Sequence, residues 1–185
     1  MEITKFKFKY YNQVKKIYYE SFPKEERYLS FRALVINCIK NKAQMYCLKD
    51  ENAIQGFIYN IVYENMVFVL YLAVSSKKRS SGYGSQLMKW CMDHYSSKTI
   101  YLNIDEVDEK FEDYETRLKR KDFYIKNGLK MTNYMSIEEE CNFNILSNTG
   151  TIDLEEYKKL DEFVAKILRD KPSKILKKEE EIWNS

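Results

Sequence analysis

A glycine-rich turn between an apolar strand and an amphipathic helix constrains this chain more than any other feature. The turn reads Arg79-Ser80-Ser81-Gly82-Tyr83-Gly84 and holds two of only 5 glycines in 185 residues. Before it, the segment 66–74 (MVFVLYLAV) is too continuously apolar for an edge strand and short enough for a buried one. After it, apolar side chains recur at helical spacing, at Leu87, Met88, Cys91, Met92 and Tyr95. The pattern predicts a strand, a tight turn and a helix in succession.

A turn of this kind is suited to an anionic ligand. Glycines let the backbone come close to a ligand, and the helix start offers unpaired N–H groups and a positive dipole end. These properties predict a phosphate or pyrophosphate site. The turn is not a P-loop, because no Gly-Lys-Ser/Thr follows it, and Leu87 stands where a Rossmann turn needs its third glycine.

A second segment, 120–129 (RKDFYIKNGL), follows some forty residues later. Gly128 there is predicted to end a helix in the left-handed conformation. The spacing Arg-x-x-Gly-x-Gly resembles the acetyl-CoA loop of the GNAT N-acetyltransferase family, and Phe-Tyr-x-x-x-Gly resembles a second signature of the same family. The two occur in the family's order with a strand between them, and the resemblance extends over roughly residues 1–147.

Length and composition indicate one soluble globular domain. The chain has 185 residues, of which 44% are hydrophobic and 32% charged. No apolar run is long enough to cross a membrane and no signal segment opens the chain, so we expect a cytoplasmic protein without membrane contact. The net charge is only +3, and basic and acidic residues are interleaved, so we expect no nucleic-acid partner.

Cysteine and histidine usage excludes several kinds of site. The four cysteines form no Cys-x-x-Cys pair, and two of them, Cys38 and Cys91, fall on apolar helical faces, so we interpret them as core residues in a reducing compartment. With a single histidine, His94, a zinc site or a His-dependent hydrolase site is not expected. The sequence therefore predicts no metal and no covalent nucleophile.

Periodicity predicts the order of elements. Strands are expected at 3–8, 44–49, 54–63, 66–74, 99–104, 131–137 and 143–146. Helices are expected from Val14 to Pro23, after the N-cap Ser30, from the glycine turn to about Tyr95, at about 108–127, and from about Asp153 to Lys171-Pro172. Two regions follow: residues 1–147 form the main domain, and 148–185 form a helix and a charged tail, containing Trp183, with no predicted structure from Ser173.

The order of elements is that of the GNAT family. The resemblance implies an α/β fold with a mixed, mostly antiparallel sheet, a central parallel strand-helix-strand unit at 66–104, and helices on both faces. The helix beginning near Asp153 lies beyond the family's minimal fold. It is either a packed extra element or a small interaction surface.

The resemblance also assigns roles at the cofactor site. Acetyl-CoA would lie at the ends of the two parallel strands, with its pyrophosphate on the loop amides. The Val74 backbone N–H would polarise the thioester carbonyl, and Tyr124 would protonate the departing sulfur. The residues implied in binding acetyl-CoA are Ala73, Val74, Arg79, Ser80, Ser81, Gly82, Tyr83, Gly84, Ser85 and Tyr124.

The sequence does not decide which carboxylate is the general base. Asp105 and Glu106 end a predicted strand, and Glu25 and Glu26 lie in the loop that lines the acceptor site in the family. Of these carboxylates, Asp105 or Glu26 is the candidate base, and each is also readily explained as a solvated loop charge.

The chain departs from the family at three places. Arg117 and Arg120 stand where many members have Asn and Ala, and Leu129 replaces a Phe. The first two differences put one contact to pantetheine in doubt, and the third is a conservative change in packing.

Two functions follow from the resemblance. The first is transfer of acetyl from acetyl-CoA to a primary amine by direct attack, with a small-molecule or peptide acceptor whose identity the sequence does not encode. The second is an inactive GNAT-like module that binds acyl-CoA as a sensor or supports a partner; Arg117, Arg120 and the extra helix favour it. A homodimer is an open alternative, because dimers are common in the family.

Overall fold

A computed structural model describes residues 1–51, 53–138 and 141–178. The chain divides into two compact units, Met1–Lys98 and Thr99–Ser185, which we describe separately. Trp183 and most of the charged tail lie outside the described residues. The predicted division of the chain at residue 147 stays a prediction.

The first unit is a four-stranded antiparallel sheet with three helices. The strands are β1 (Glu2–Lys5), β2 (Gln44–Asp50), β3 (Ala53–Tyr63) and β4 (Met66–Val74), hydrogen-bonded in that order. The helices are α1 (Tyr11–Ser21), α2 (Phe31–Ile39) and α3 (Tyr83–His94). Short 3-10 helices lie at Phe8–Tyr10, Lys24–Glu26 and Ser76–Lys78.

The sequence predicts that β4 is a buried strand, and the structure confirms it. Met66, Val67, Phe68 and Val69 are all buried, so consecutive side chains on both faces of the strand are removed from water. Helix α3 packs on β3 and β4 through its apolar stripe, which includes Leu87, Met88 and Cys91. The predicted N-cap of α2 is confirmed, since the Ala33 N–H donates to the Ser30 hydroxyl at 3.3 Å.

The second unit contains four strands, which pair antiparallel with one another, and two helices. Its strands are β5 (Thr99–Asp105), β6 (Lys130–Glu138), β7 (Cys141–Ser147) and β8 (Lys174–Lys177), in the order β5-β7-β6-β8. Its helices are α4 (Tyr114–Lys126) and α5 (Leu154–Leu168). Gly128, two residues after α4, has φ +94°, which agrees with its predicted role at the helix end.

Three element predictions differ from the structure. The first strand ends at Lys5 and Phe8 begins a 3-10 helix, so the strand predicted at 3–8 is too long. Helix α4 begins at Tyr114 and not near Asp108, because the Asp108 carboxylate accepts the Lys110 N–H at 3.0 Å and stabilises a local turn there. The segment after Ser173, predicted to lack structure, forms β8 and pairs with β6.

Helix α5 is a packed part of the second unit. Asp153 caps its start by accepting the N–H groups of Glu155 and Glu156, each at 3.1 Å. The Tyr157 hydroxyl donates to Asn103 Oδ1 on β5 at 3.1 Å, and its ring meets Tyr101 edge to face at 5.0 Å. Of the two alternatives for this helix, the structure therefore shows the packed element.

Within the described part of the chain, no helix combines the length and the apolar character needed to cross a lipid bilayer.

Removing the Leu160 side chain tests the packing of α5. Leu160 is fully buried, so Leu160→Ala leaves a cavity and should lower the free energy of unfolding by about 2–5 kcal/mol. Urea unfolding followed by circular dichroism measures the change. Glu162→Ala, on an exposed position of the same helix, is the control and should change stability by less than about 0.5 kcal/mol. Equal stability of both variants and the wild type would mean that α5 contributes no packing.

Candidate active site

The last residue of β4, Val74, directs its backbone N–H and C=O away from β3. The Ser75 N–H donates to the Gln55 carbonyl oxygen at 2.8 Å, which adds one hydrogen-bonded pair beyond the end of β4. Hydrogen-bonded and non-hydrogen-bonded pairs alternate in an antiparallel ladder, and Val74 lies opposite Gly56 in the next pair. The N–H of Val74 is therefore not used by β3 and points to the other side of β4.

Gly56 permits this arrangement, and sequence reasoning missed it. A Cβ at Gly56 would lie 2.8 Å from the Ala73 carbonyl oxygen and 3.1 Å from the Leu87 Cδ1, so a side chain there would displace β4 or α3. An isolated glycine within an apolar strand pattern is a known sign of close approach. That sign was present in the sequence at residue 56.

The turn after β4 reverses the chain through two left-handed residues. Ser75 leads into the 3-10 helix Ser76–Lys78, and Ser80 then has φ +62° and Gly82 φ +79°. Gly82 is the N-cap of α3. The space beside its Cα is open, since a Cβ there would meet nothing within 4 Å. Glycine is required at this position by its φ and not by crowding.

The start of α3 is suited to an anion. In any α-helix the first N–H groups have no acceptor within the helix, and here these belong to Tyr83, Gly84 and Ser85. The first turn contains no acidic residue, and Gly82 provides no side chain to cap it. The basic residues Lys77, Lys78 and Arg79 precede the turn in the chain and add positive charge. The predicted anion loop therefore has the expected local geometry and charge.

Tyr83 holds the helix start in place. Its hydroxyl donates to the Asp50 carboxylate at 2.5 Å, at the end of β2, and this hydrogen bond raises the pKa of the phenol. Its ring is buried, with the Lys78 ammonium 5.9 Å from the ring centre. The Tyr83 side chain is thus a support for the loop, while its N–H is one of the groups at the predicted anion site at the start of α3.

In the second unit, Tyr124 lies on α4, half-buried, with the Phe123 ring edge to face at 5.1 Å. Burial raises the pKa of its phenol above the ordinary value of 10.0, the charge of Arg120 opposes the rise, and Asp105 adds to it. Among the described residues of this unit, no hydrogen bond to the Tyr124 hydroxyl is observed. A phenol with a raised pKa keeps its proton at neutral pH.

The candidate base Asp105 is paired with a cation. Arg120 donates to its carboxylate at 2.6 Å, and both side chains keep about a third of their surface exposed (41% and 30%). Asp105 would have to exchange this partner to accept a proton. The neighbouring Glu106 accepts from Asn142 at 3.2 Å and lies 3.4 Å from the Lys110 ammonium.

The second unusual arginine, Arg117, has structural partners. It donates to the Asp113 carboxylate at 2.7 Å and to the Glu106 carbonyl oxygen at 3.0 Å, and it lies 4.0 Å from the centre of the Phe111 ring. These contacts hold the start of α4 to the end of β5. Arg117 is thus a local structural residue of this chain.

The remaining predicted carboxylates lie in the first unit. Glu25 and Glu26 belong to the 3-10 helix Lys24–Glu26 and are exposed. The structure brings Val74 and the loop 79–85 together at the end of β4 within the first unit. It places Tyr124, Asp105 and Arg120 together within the second.

Comparison with known proteins identifies the family. The sequence profile of the acetyltransferase (GNAT) family matches residues 9–113, which is more than half of the chain and includes the turn 79–84. The chain belongs to the GNAT acetyltransferase family. The profile match ends before Tyr124, so the role of that residue rests on the Phe-Tyr-x-x-x-Gly resemblance and on its surroundings. A search of curated protein sequences gave no significant match.

Solved structures confirm the GNAT fold. A protein described as a GNAT-family acetyltransferase from Bacteroides thetaiotaomicron is 17% identical with a TM-score of 0.70, over 91% of this chain and 98% of that one. An aminoglycoside 6'-N-acetyltransferase in complex with coenzyme A is 20% identical with a TM-score of 0.63, over 80% and 96%. A ribosomal-protein-alanine N-acetyltransferase from Brucella melitensis is 9% identical with a TM-score of 0.62, over 80% and 98%. The predicted α/β class with a mixed, mostly antiparallel sheet is confirmed.

Placing a carboxylate at Gly84 tests the loop. Gly84 lies in the first turn of α3, where an acidic residue suits the helix dipole, so Gly84→Asp should fold normally. Its charge would repel a pyrophosphate at the same amides, and we expect acetyl-CoA affinity to fall by at least about tenfold in titration calorimetry. Gly82→Asp should also lower the affinity, but with an added loss of stability, because Gly82 has φ +79°.

The matched control is Ser96→Asp, which adds the same charge beyond the other end of α3. It should leave the affinity within about twofold of the wild type, since a surface charge far from the ligand is screened. A well-folded Gly84→Asp variant with wild-type affinity would mean that the ligand does not use this turn.

Proposed function

We propose that this GNAT protein is an N-acetyltransferase that moves the acetyl group of acetyl-CoA to a primary amine by direct attack. The observation that supports this most is the geometry at the end of β4. There, the Val74 N–H is directed away from β3, and the chain then turns into a helix start with no acidic residue in its first turn. The Val74 N–H, which would bind the thioester carbonyl oxygen, and the N–H groups at the start of α3, which would bind the pyrophosphate, thus lie within a dozen residues of each other in the chain.

The donor would be held by backbone groups more than by side chains. The N–H groups of residues 79–85 would bind the pyrophosphate, with Arg79 adding charge, and Ala73 and Val74 would face the acyl end. The residues present fit such a ligand, because Gly82 leaves open space beside the backbone and its left-handed conformation exposes the helix start. No metal takes part in this proposal.

The chemical step would be a direct acyl transfer. The amine nitrogen forms a bond to the acetyl carbonyl carbon, the negative charge that develops on oxygen is stabilised by the Val74 N–H, and the carbon–sulfur bond then breaks. The thiolate takes a proton from the Tyr124 phenol, and the attacking nitrogen loses one proton to a base or to water. The tyrosinate then regains a proton from solvent and the base releases its proton to solvent, so the step balances without an acyl-enzyme.

Two carboxylates remain candidates for the base. Asp105 could act as the base only after its ion pair with Arg120 is broken. The ammonium group of an incoming acceptor could take the place of the Arg120 guanidinium. Glu26 is exposed and could act through a water molecule. Glu25 and Glu106 are the alternatives beside them.

The second candidate function is acyl-CoA binding without turnover. The Arg120–Asp105 ion pair favours it, because it occupies the carboxylate that catalysis would use. A sensor would bind acetyl-CoA through the same loop and release no thiol.

The proposed partner is a small-molecule or peptide amine in the cytoplasm, and neither nucleic acid nor membrane is part of the proposal. A homodimer is proposed as one possible assembly.

A thiol-release assay distinguishes the two functions. We expect acetyl-CoA to bind in titration calorimetry and free CoA to appear only when an amine from a panel is added: a polyamine, an aminoglycoside, an amino acid or a peptide N-terminus. Binding without acceptor-dependent release from any of them would support the sensor. Failure to bind acetyl-CoA at millimolar concentration would overturn both functions.

Substituting Tyr124 tests the general acid. Tyr124→Phe retains the ring and removes only the proton donor, so acetyl-CoA affinity should stay within about twofold while the rate of the chemical step falls by about 10²-fold. Single-turnover kinetics measures that step. The loss should be smaller with an acyl donor that has a more acidic thiol, since such a leaving group needs less protonation.

Tyr114→Phe, at the start of the same helix, is the matched control and should retain the wild-type rate. If Tyr124→Phe also turns over at that rate where chemistry is limiting, Tyr124 is a packing residue only.

A further inference from the structure

The loop between α1 and α2, residues 22–30, has little regular structure of its own. Its one 3-10 turn is closed by the Glu26 N–H to the Pro23 carbonyl oxygen at 3.1 Å, and the Arg27 Nε donates to that oxygen at 3.1 Å. Most of its residues are exposed. A loop of this kind needs contacts from the rest of the unit to keep one conformation.

A buried phenol on β4 provides two of these contacts. The Tyr28 N–H donates to the Tyr71 hydroxyl at 3.1 Å, and the same hydroxyl donates to the Glu26 carbonyl oxygen at 3.4 Å. Tyr71 is 3% exposed, and burial raises the pKa of its phenol to about 12, so it stays protonated over the working pH range. Its hydroxyl thus both accepts from and donates to the loop backbone.

A second buried phenol holds the next peptide group. The Tyr18 hydroxyl on α1 donates to the Leu29 carbonyl oxygen at 2.6 Å, and Tyr18 is fully buried. The Tyr18 ring meets the Tyr71 ring edge to face at 5.3 Å, and the Phe22 ring lies 4.6 Å from Tyr71. The two phenols therefore form one packed unit, which we call the tyrosine clamp (Tyr18 and Tyr71).

The position of Tyr71 connects the loop to the proposed chemistry. Tyr71 precedes Val74 by three residues on the same strand, a distance of roughly 10 Å along β4. The loop that it holds contains Glu25, Glu26 and the part-exposed ring of Tyr28. Strand β4 thus carries both the Val74 amide and the phenol that holds the loop with these polar side chains.

We propose that the tyrosine clamp positions the 22–30 loop for the amine acceptor, so that Tyr71 determines acceptor affinity without contacting acetyl-CoA. This inference rests on the proposed acetyltransferase function. Tyr71 is a positioning residue and not a catalytic one, because its hydroxyl is buried and hydrogen-bonds to the loop backbone at Tyr28 and Glu26.

The test compares Tyr71→Phe with Tyr59→Phe. Tyr59 is the cross-strand partner of Tyr71, is also fully buried, and donates its hydroxyl to the Leu34 carbonyl oxygen at 3.4 Å on α2. Both variants lose one buried hydroxyl from the same sheet, and only Tyr71→Phe loses a contact to the loop. Tyr18→Phe is the second clamp variant, in case Tyr71→Phe does not fold.

Hydrogen exchange gives a readout that does not depend on activity. In Tyr71→Phe the Tyr28 amide loses its acceptor, and we expect its exchange to become at least about tenfold faster, with no such change in Tyr59→Phe. Wild-type exchange at Tyr28 in Tyr71→Phe would overturn the clamp, whatever the protein's activity.

Steady-state kinetics tests the link to the acceptor, using the amine of the panel that the wild type acetylates fastest. We expect the acceptor KM of Tyr71→Phe to rise by about tenfold, with acetyl-CoA affinity within about twofold of the wild type and Tyr59→Phe unchanged in both. An unchanged acceptor KM, or an equal loss of acetyl-CoA affinity, would overturn the positioning role. A wild type that acetylates no amine would contradict the proposed function and with it this role, while faster Tyr28 exchange would still show that the clamp holds the loop.

Discussion

The hydrogen bond from the Ser75 N–H to the Gln55 carbonyl oxygen determines most of what the first unit presents to a ligand. It places Val74 in a non-hydrogen-bonded pair, so the N–H and the C=O of Val74 are both directed away from β3. A shift of register by one residue would direct that amide into the β3–β4 ladder. The absence of a side chain at Gly56 is what lets this pairing and the packing of α3 coexist, since a Cβ would lie 2.8 Å from the Ala73 carbonyl oxygen.

The turn that follows is conformationally costly and is stabilised from outside. A non-glycine residue in the left-handed region costs about 1–2 kcal/mol, and Ser80 has φ +62°. The Tyr83 phenol compensates by joining the helix start to Asp50 at the end of β2. The amides at the start of α3 can therefore stay directed at a ligand without a capping side chain, which is the preorganisation that anion binding needs.

Periodicity predicted the elements that are decided locally. The bounds of β4, the start of α3 at the glycine turn, the Ser30 cap and the helix end before Gly128 follow from nearby residues, and all are observed. The segment Lys174–Lys177 has no apolar run, and it becomes a strand because β6 offers an unpaired edge and Asp161 holds Ser173 at 2.6 Å. The Tyr83–Asp50 bond and the tyrosine clamp depend on residues distant in sequence, which no local pattern reveals. The close approach at Gly56 does have a local sign, the isolated glycine in an apolar strand.

Several of the 16 tyrosines of this chain have hydroxyls with defined hydrogen-bond partners. Tyr18, Tyr71 and Tyr83 in the first unit each direct the hydroxyl to a fixed acceptor, and Tyr157 does the same in the second. The hydroxyl groups of these four tyrosines therefore stabilise the fold. Tyr124 differs, because its surroundings raise the pKa of its phenol while no described group of its own unit accepts the proton. A phenol that stays protonated at neutral pH is what the proposed general acid requires, because only a protonated phenol can give a proton to the departing thiolate.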